Sequence, residues 1–228
     1  MKITLLGTRG MVTPSALHYH KHSGILVSGK LLFDVGEKVF LRHKPKAIFI
    51  THLHPDHAFF VEEPVFLSSV PIYAPEQKEF AFIKIAKPVR IGLYRITPLP
   101  TEHSARVKSC AYLIEHGKKR ILYTGDLVWM QKKYRDQLGK LDCVITEGSF
   151  LKEGGMIRKD IKTGKLFGHA GIPNLLRLFK PHTRTVVLAH FGSWFFKDIK
   201  QSRALIASLG KKYDVTPIVA HDGMTLTV

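Results

Sequence analysis

The strongest constraint on this chain is a buried-strand signature that runs straight into a cluster of metal-type donors. Lys46-Ala47-Ile48-Phe49-Ile50 is apolar, β-branched and aromatic, and it is followed at once by Thr51-His52-Leu53-His54-Pro55-Asp56-His57. Alternate residues of an extended backbone project to one side, so His52 and His54 can share one cation. Pro55 favours the first turn of a helix, and that change of direction lets Asp56 and His57 face a second cation beside the first. Unrelated polar residues in a loop would not be expected to take the form His-x-His-x-Asp-His directly after such a strand.

Other donors stand at the ends of other apolar runs. Gly24–Ser28 and Lys30–Asp34 read as a hairpin around Gly29 that ends on Asp34. A carboxylate there can cap the short helix expected after Gly36-Glu37, or accept the ring N–H of a metal-bound histidine. Tyr94–Pro98 precedes His103. Ser109–Glu115 and Lys119–Tyr123 form a second expected hairpin, ending on Asp126; Leu141–Thr146 delivers Glu147, and Arg184–Ala189 delivers His190. His221 and Asp222 lie in a turn between the last two strands. Helices are expected near 58–63, 76–85, 130–138, from Ile172 to about Phe179, and 198–209. His18, His20 and His22 alternate in a polar loop, and 152–165 is a Gly-rich, basic loop.

The chain of 228 residues is long enough for one sizeable domain or two halves on a shared core. No apolar run approaches the ~20 residues of a membrane span and the opening segment is too short for a signal-peptide core, so a cytoplasmic protein is expected. Cys110 and Cys143 lie in strand-like runs and read as small core residues. With 35 Lys+Arg against 18 Asp+Glu the net charge is +17, a field that attracts nucleic acid or phosphate esters; the alternative is a solvated basic surface with no partner. Hairpins with interspersed helices, written twice, give an α+β fold of two mixed sheets packed face to face with helices outside. It is expected as one domain over 1–228, in two similar halves of about 1–107 and 108–228.

In their order and spacing Asp34, His52-x-His54-x-Asp56-His57, His103, Asp126 and His190 resemble the motifs of the metallo-β-lactamase superfamily over essentially the whole chain. The resemblance implies the four-layer αββα sandwich. Within the superfamily, Leu6-Gly7-Thr8, Phe33-Asp34-Val35-Gly36-Glu37, Leu141–Phe150, Gly168-His169, Leu188-Ala189-His190-Phe191 and Ala220–Met224 are similar to ribonuclease Z and its phosphodiesterase relatives. It implies that His52, His54 and His103 hold one divalent ion, that Asp56, His57 and His190 hold another, and that Asp126 bridges them. Asp56 would also orient the nucleophile, and Glu147 and His169 would assist the leaving group. His221 rivals His190, because some branches use a late histidine; His190 is taken as the ligand, with Asp34, His221 and Asp222 near the site.

The implied cofactor is a pair of divalent ions, zinc suiting the histidine-rich set and manganese or iron tolerated. The implied substrate is a nucleic acid or nucleotide phosphodiester. Three departures bear on it. His103 and Asp126 are too close in sequence to leave room for the arm with which ribonuclease Z grips tRNA. His169-Ala170-Gly171-Ile172 replaces a Glu-Ala-Thr tail, and Gly192-Ser193-Trp194-Phe195 removes a phosphate-binding arginine. A thioester or lactone hydrolase on the same fold, and a non-catalytic nucleic-acid-binding protein, therefore stand as alternatives. A homodimer could complete an arm-less pocket.

Overall fold

A computed structural model describes residues 1–63 and 70–228. The first sheet is built from β1 (Lys2–Gly7), β2 (Gly24–Val27), β3 (Leu31–Phe33), β4 (Ala47–Phe49), β5 (Ile72–Ala74) and β6 (Ile83–Ile85). The second contains β7 (Val89–Ile91), β8 (Tyr94–Thr101), β9 (Ser109–His116), β10 (Lys119–Tyr123) and β11 (Cys143–Gly148). A separate hairpin, β12 (Met156–Lys159) with β13 (Leu166–His169), stands apart from both. The chain then returns through β14 (Thr185–Phe191) and β15 (Thr216–Val219) to the second sheet and closes with β16 (Thr225–Thr227) on the first.

Both sheets follow one plan. The first has the order β16-β1-β2-β3-β4-β5-β6 and the second β15-β14-β11-β10-β9-β8-β7. In each, antiparallel hairpins give way to parallel strands, at β3/β4 in the first and at β10/β11 in the second. Asp34 and Asp126 follow the strands at those two changes of direction. Because β8, β10, β11 and β14 run the same way, their carboxyl ends share one edge, where loops carry functional groups in open α/β sheets. The division between sheets falls before residue 89 rather than near 107: β7 and β8 pair into the second sheet, and β16 crosses back to the first.

Alternating side chains build the layers. Ile121 and Tyr123 face the first sheet while Leu122 between them faces outward; Ile145 points in and Val144 out. Between the sheets, Phe33 packs on Phe49 at 5.0 Å, Tyr112 at 5.6 Å and Tyr123 at 6.3 Å between ring centroids. Cys110 and Cys143 are free thiols in this same core, and burial pushes both up to about 12. The outer face of the second sheet is covered by α2 (Ile172–Phe179), α3 (Ser193–Lys197) and α4 (Ile199–Tyr213), a helical cover that α1 (Lys132–Arg135) precedes in sequence.

The outer face of the first sheet is thinner than expected. Among the described residues it carries 3-10 turns at Lys38–His43 and Phe59–Val61, with Phe40, Phe59, Phe60 and Phe80 as its apolar cover. The helix expected over 76–85 is absent. Ile83-Lys84-Ile85 extends the sheet as a parallel edge strand on β5, which buries Ile83 and exposes Lys84 and Ile85. The expected 130–138 helix shortens to α1, and the 152–165 loop proves to contain β12 and the turn leading to β13. No helix among the described residues is long and apolar enough to cross a membrane.

Phe33 is fully buried at the centre of the aromatic cluster. Phe33→Ala should lower unfolding stability by about 3–5 kcal/mol, read from the urea midpoint, while Leu17→Ala at an exposed position should move it by less than about 0.5 kcal/mol.

Candidate metal centre

The seven residues expected to hold cations converge at the shared edge. His52, His54 and His103 form one group of donors and Asp56, His57 and His190 another, with the ligand atoms of each group within 4.8 Å of one another. His54 Nδ1 lies 3.0 Å from His52 Nε2 and 3.4 Å from His103 Nε2. Asp56 Oδ2 lies 3.9 Å from His57 Nε2 and 3.6 Å from His190 Nε2. Asp126 stands between the groups. Its Oδ2 is 3.8 Å from His52 Nε2 and 3.6 Å from His103 Nε2, whereas its Oδ1 is 3.3 Å from both His57 Nε2 and His190 Nε2. One oxygen for each group is what a bridging carboxylate requires.

The far side of each ring explains which nitrogen is turned inward. His57 Nδ1 donates to Asp34 Oδ2 at 2.7 Å, and His103 Nδ1 donates to the Gly168 carbonyl at 2.8 Å. His190 Nδ1 lies 2.7 Å from Ser23 Oγ and His52 Nδ1 lies 3.1 Å from Thr51 Oγ1. Each of these contacts engages Nδ1 and leaves Nε2 toward the centre, the arrangement that orients metal-bound imidazoles. Asp34 also accepts from the Thr51 backbone N–H at 2.7 Å, from Thr51 Oγ1 at 2.9 Å and from the Tyr123 hydroxyl at 2.8 Å. Of these partners, Ser23 and the Gly168 carbonyl carried no sequence signal, and Thr51 and Tyr123 were visible only as neighbours of the motifs.

Two local backbone devices aim the ligands. Glu147 pairs with Ala189 but Gly148 pairs with Phe191, so His190 is the extra residue of a bulge in β14 and sits at φ 52°. A bulge re-aims a side chain that regular alternation would direct elsewhere. Gly125, at φ 57°, allows the turn into Asp126, and a Cβ there would lie 2.4 Å from Thr51 Oγ1.

The donor set fits divalent ions. Zinc–nitrogen bonds of ~2.0–2.1 Å in a tetrahedral shell hold neighbouring donors about 3.3–3.4 Å apart, and the spacings above bracket that value. His57 Nε2 and Asp126 Oδ1 are buried without a hydrogen-bond partner, an arrangement a cation between the groups accounts for. Burial, helped by its imidazole neighbours, holds His52 well below its ordinary value, and burial takes His54 down to about 4, so both are neutral with lone pairs free. Burial also opposes charge on His57, yet Asp126, Asp34 and Asp56 together raise it. That same negative field is offered to a cation.

Residues 37–191, more than half of the chain, match the family model described as a beta-lactamase superfamily domain. The chain belongs to the β-lactamase superfamily. The solved structures agree on the fold. The metallo-β-lactamase-fold protein YhfI of Bacillus subtilis superposes with a TM-score of 0.71 at 20% identity, over 99% of this chain and 98% of that one. The short form of human tRNase Z gives 0.65 at 19% identity, over 100% and 99%. A diphosphatase of the PhnP family gives 0.66 at 16% identity, over 99% and 97%. At these identities the likeness shows a common metallo-β-lactamase fold. No curated protein gives a significant match.

In this superfamily member a further pair flanks the centre. Glu147, 1% exposed, accepts from the Leu127 backbone N–H at 2.6 Å and from His169 Nδ1 at 2.7 Å. Burial disfavours charge on His169, but Glu147, followed by Asp126, outweighs it and raises the imidazole to about 9. With Nδ1 committed, Nε2 is the nitrogen left to meet a ligand. His169 ends β13, so it does not cap α2. It also falls into a donor group with His103 and Asp126, which gives it a second possible use as a ligand. The centre opens into a cavity of about 310 Å³ lined by His54, Asp56, His103, Asp126, His169 and His190, with Met11, Val12, Phe150 and Trp194 as its apolar wall.

His221 joins none of the donor groups among the described residues. Asp222 acts on the loop instead: it accepts from Thr8 Oγ1 at 2.8 Å and from the backbone N–H groups of His20 and Lys21 at 2.9 Å each. That pins the segment whose Gly10 lies against His190. His22 pairs with Glu37 at 3.0 Å, and among the described residues the His18, His20 and His22 row forms no donor group.

Asp34→Asn keeps the volume but cannot accept every bond Asp34 now accepts. Its zinc affinity should fall about 10–100-fold in chelator competition, while His221→Ala should match the parent; equal affinity for Asp34→Asn and the parent would remove Asp34 from the support of the site.

Proposed function

We propose that the chain is a two-cation phosphodiesterase acting on nucleotide phosphodiesters, related to ribonuclease Z in its motifs but without the tRNA-gripping arm. The observation that carries this reading is the division of Asp126 between two donor groups, with the Glu147–His169 pair beside it: His169 Nδ1 is 3.8 Å from Asp126 Oδ2. The fold shared with human tRNase Z and a PhnP-family diphosphatase supports it.

Divalent ions, zinc being the one the histidine set suits, would be held by His52, His54 and His103 and by Asp56, His57 and His190, and would supply Lewis-acid charge to a water and to phosphate oxygens. The side chains do the rest. Asp126 fixes the separation of the two groups through its two oxygens. Asp56, which faces His57 and His190, accepts the proton of the attacking water. His169 donates a proton from Nε2 to the departing alkoxide, and Glu147 holds its ring and favours its charged form. Asp34 keeps the His57 lone pair on Nε2.

A second reading has one observation in its favour. Among the described residues lining the cavity there is no Lys or Arg, and its wall is apolar, which suits a thioester or lactone as well as a phosphate ester. A panel of thioesters, lactones and phosphodiesters assayed with the zinc-loaded protein separates the two.

The leaving-group test is sharper. His169→Ala and Glu147→Ala should lower hydrolysis of a dinucleotide, which expels an alkoxide, by about 10²–10⁴-fold. They should affect bis(p-nitrophenyl) phosphate much less, because nitrophenolate departs without a proton. Equal losses on both substrates, together with lost metal, would make His169 a ligand instead.

A further inference from the structure

A concavity larger than the one that holds the centre lies beside it. A groove of about 710 Å³ opens on the other side of His103, bounded by the 104–108 loop and by the start of β13. Arg106, Lys108 and Lys165 line it, all three exposed, and none of them forms an ion pair among the described residues. Its carboxylates are Glu76 and Glu102, and Glu76 is already engaged by the Lys108 backbone N–H at 3.0 Å. The β12–β13 hairpin beyond Lys165 adds Arg158, Lys159 and Lys162 against the single acid Asp160.

Groove and centre share their boundary. Glu102 and Ser104 flank His103, and the hairpin is clamped to that histidine twice: Gly168 N–H donates to the His103 carbonyl at 2.7 Å, and His103 Nδ1 donates to the Gly168 carbonyl at 2.8 Å. Gly168 is required there, at φ 111°, because a Cβ would lie 1.9 Å from the Met156 carbonyl. Along β13, Leu166 borders the groove and His169 the centre, a separation of about 10 Å at strand rise. A phosphodiester held at the centre would thus extend toward a groove whose three basic side chains outnumber its two carboxylates, while the cavity at the centre itself has no Lys or Arg.

We propose that this groove is the track for the sugar–phosphate chain flanking the scissile bond of a single-stranded nucleic acid, with Arg106, Lys108 and Lys165 receiving its phosphates. The assignment rests on the phosphodiesterase reading for its substrate class, and it gives the missing arm a counterpart built from different residues.

The test is the binding of a fluorescein-labelled, phosphorothioate-protected single-stranded oligonucleotide, followed by anisotropy across a salt titration. Three phosphate contacts contribute about 2 to the log–log salt slope on a single strand, so the triple variant Arg106→Ala, Lys108→Ala, Lys165→Ala should be shallower by that amount. The charge-preserving triple Arg106→Lys, Lys108→Arg, Lys165→Arg should keep the parent slope. The ratio of oligonucleotide to bis(p-nitrophenyl) phosphate turnover should fall in the alanine triple. An unchanged slope overturns the groove assignment, whatever the parent does to the small ester. A shallower slope in a protein whose zinc-loaded parent hydrolyses no phosphodiester leaves the groove standing and overturns the phosphodiesterase reading.

Discussion

Asp34 joins what the two sheets would otherwise hold apart. Its carboxylate is fully buried and accepts four hydrogen bonds: from the Thr51 backbone and hydroxyl at the end of the first sheet, from His57 beyond them, and from Tyr123 on the second sheet. A buried carboxylate costs several kcal/mol to desolvate, and hydrogen bonds to a charged group return about 1.5–3 kcal/mol each, so the four partners together offset that cost. Burial, and then Asp34 itself, hold the Tyr123 hydroxyl in its protonated, donating form. Asp34 reaches this position at φ 55°, a left-handed conformation that Asp adopts more readily than most residues. One side chain thus links the two sheets and orients a candidate ligand.

Asp126 occupies the corresponding point of the second sheet, and the symmetry explains the difference between the two. Both follow the strand at which antiparallel pairing gives way to parallel pairing. Asp34 is enclosed by polar donors and is satisfied by them. Asp126 faces imidazole nitrogens, keeps one oxygen orphaned, and is held ionised by His190, His57 and His169 against the opposing effect of burial. The same topological position therefore supplies a structural carboxylate in one sheet and a candidate ligand in the other.

The candidate ligands were legible because each ends an apolar run, and a run of that kind announces both a buried strand and the place where it stops. His52, His54, Asp56, His57, His103, Asp126 and His190 all meet where that logic puts them. What the sequence could not display was anything set by pairing across the sheets. His190 reaches the centre through a bulge that only the register of β11 with β14 defines. The partner of His103 is a backbone carbonyl, which has no residue signature at all. Residues 76–85 read as helix from their charged and apolar pattern, but the free edge of β5 captured Ile83–Ile85 as a strand, a tertiary choice that local propensity does not encode. The basic 152–165 segment read as a loop because Gly and Lys dominate it; the turn in which Thr163 N–H donates to Asp160 Oδ1 brings β12 and β13 together.

Charge places opposite demands on surface and centre. The chain carries +17 overall, yet Asp34, Asp56, Asp126 and Glu147 bury four carboxylates at the edge where a phosphodiester would react. Without cations that edge repels the anion which the basic exterior attracts. Divalent ions in the two donor groups would cancel that negative charge and leave the His169 imidazolium in excess, so ion binding and substrate binding are thermodynamically linked, each strengthening the other by the same factor. The separation of roles follows from burial: exposed lysines and arginines act through screened, long-range attraction, while buried carboxylates act through close coordination. A cavity without Lys or Arg is therefore consistent with a phosphate-ester site, provided that the positive charge at the reacting phosphate comes from ions and the His169 imidazolium.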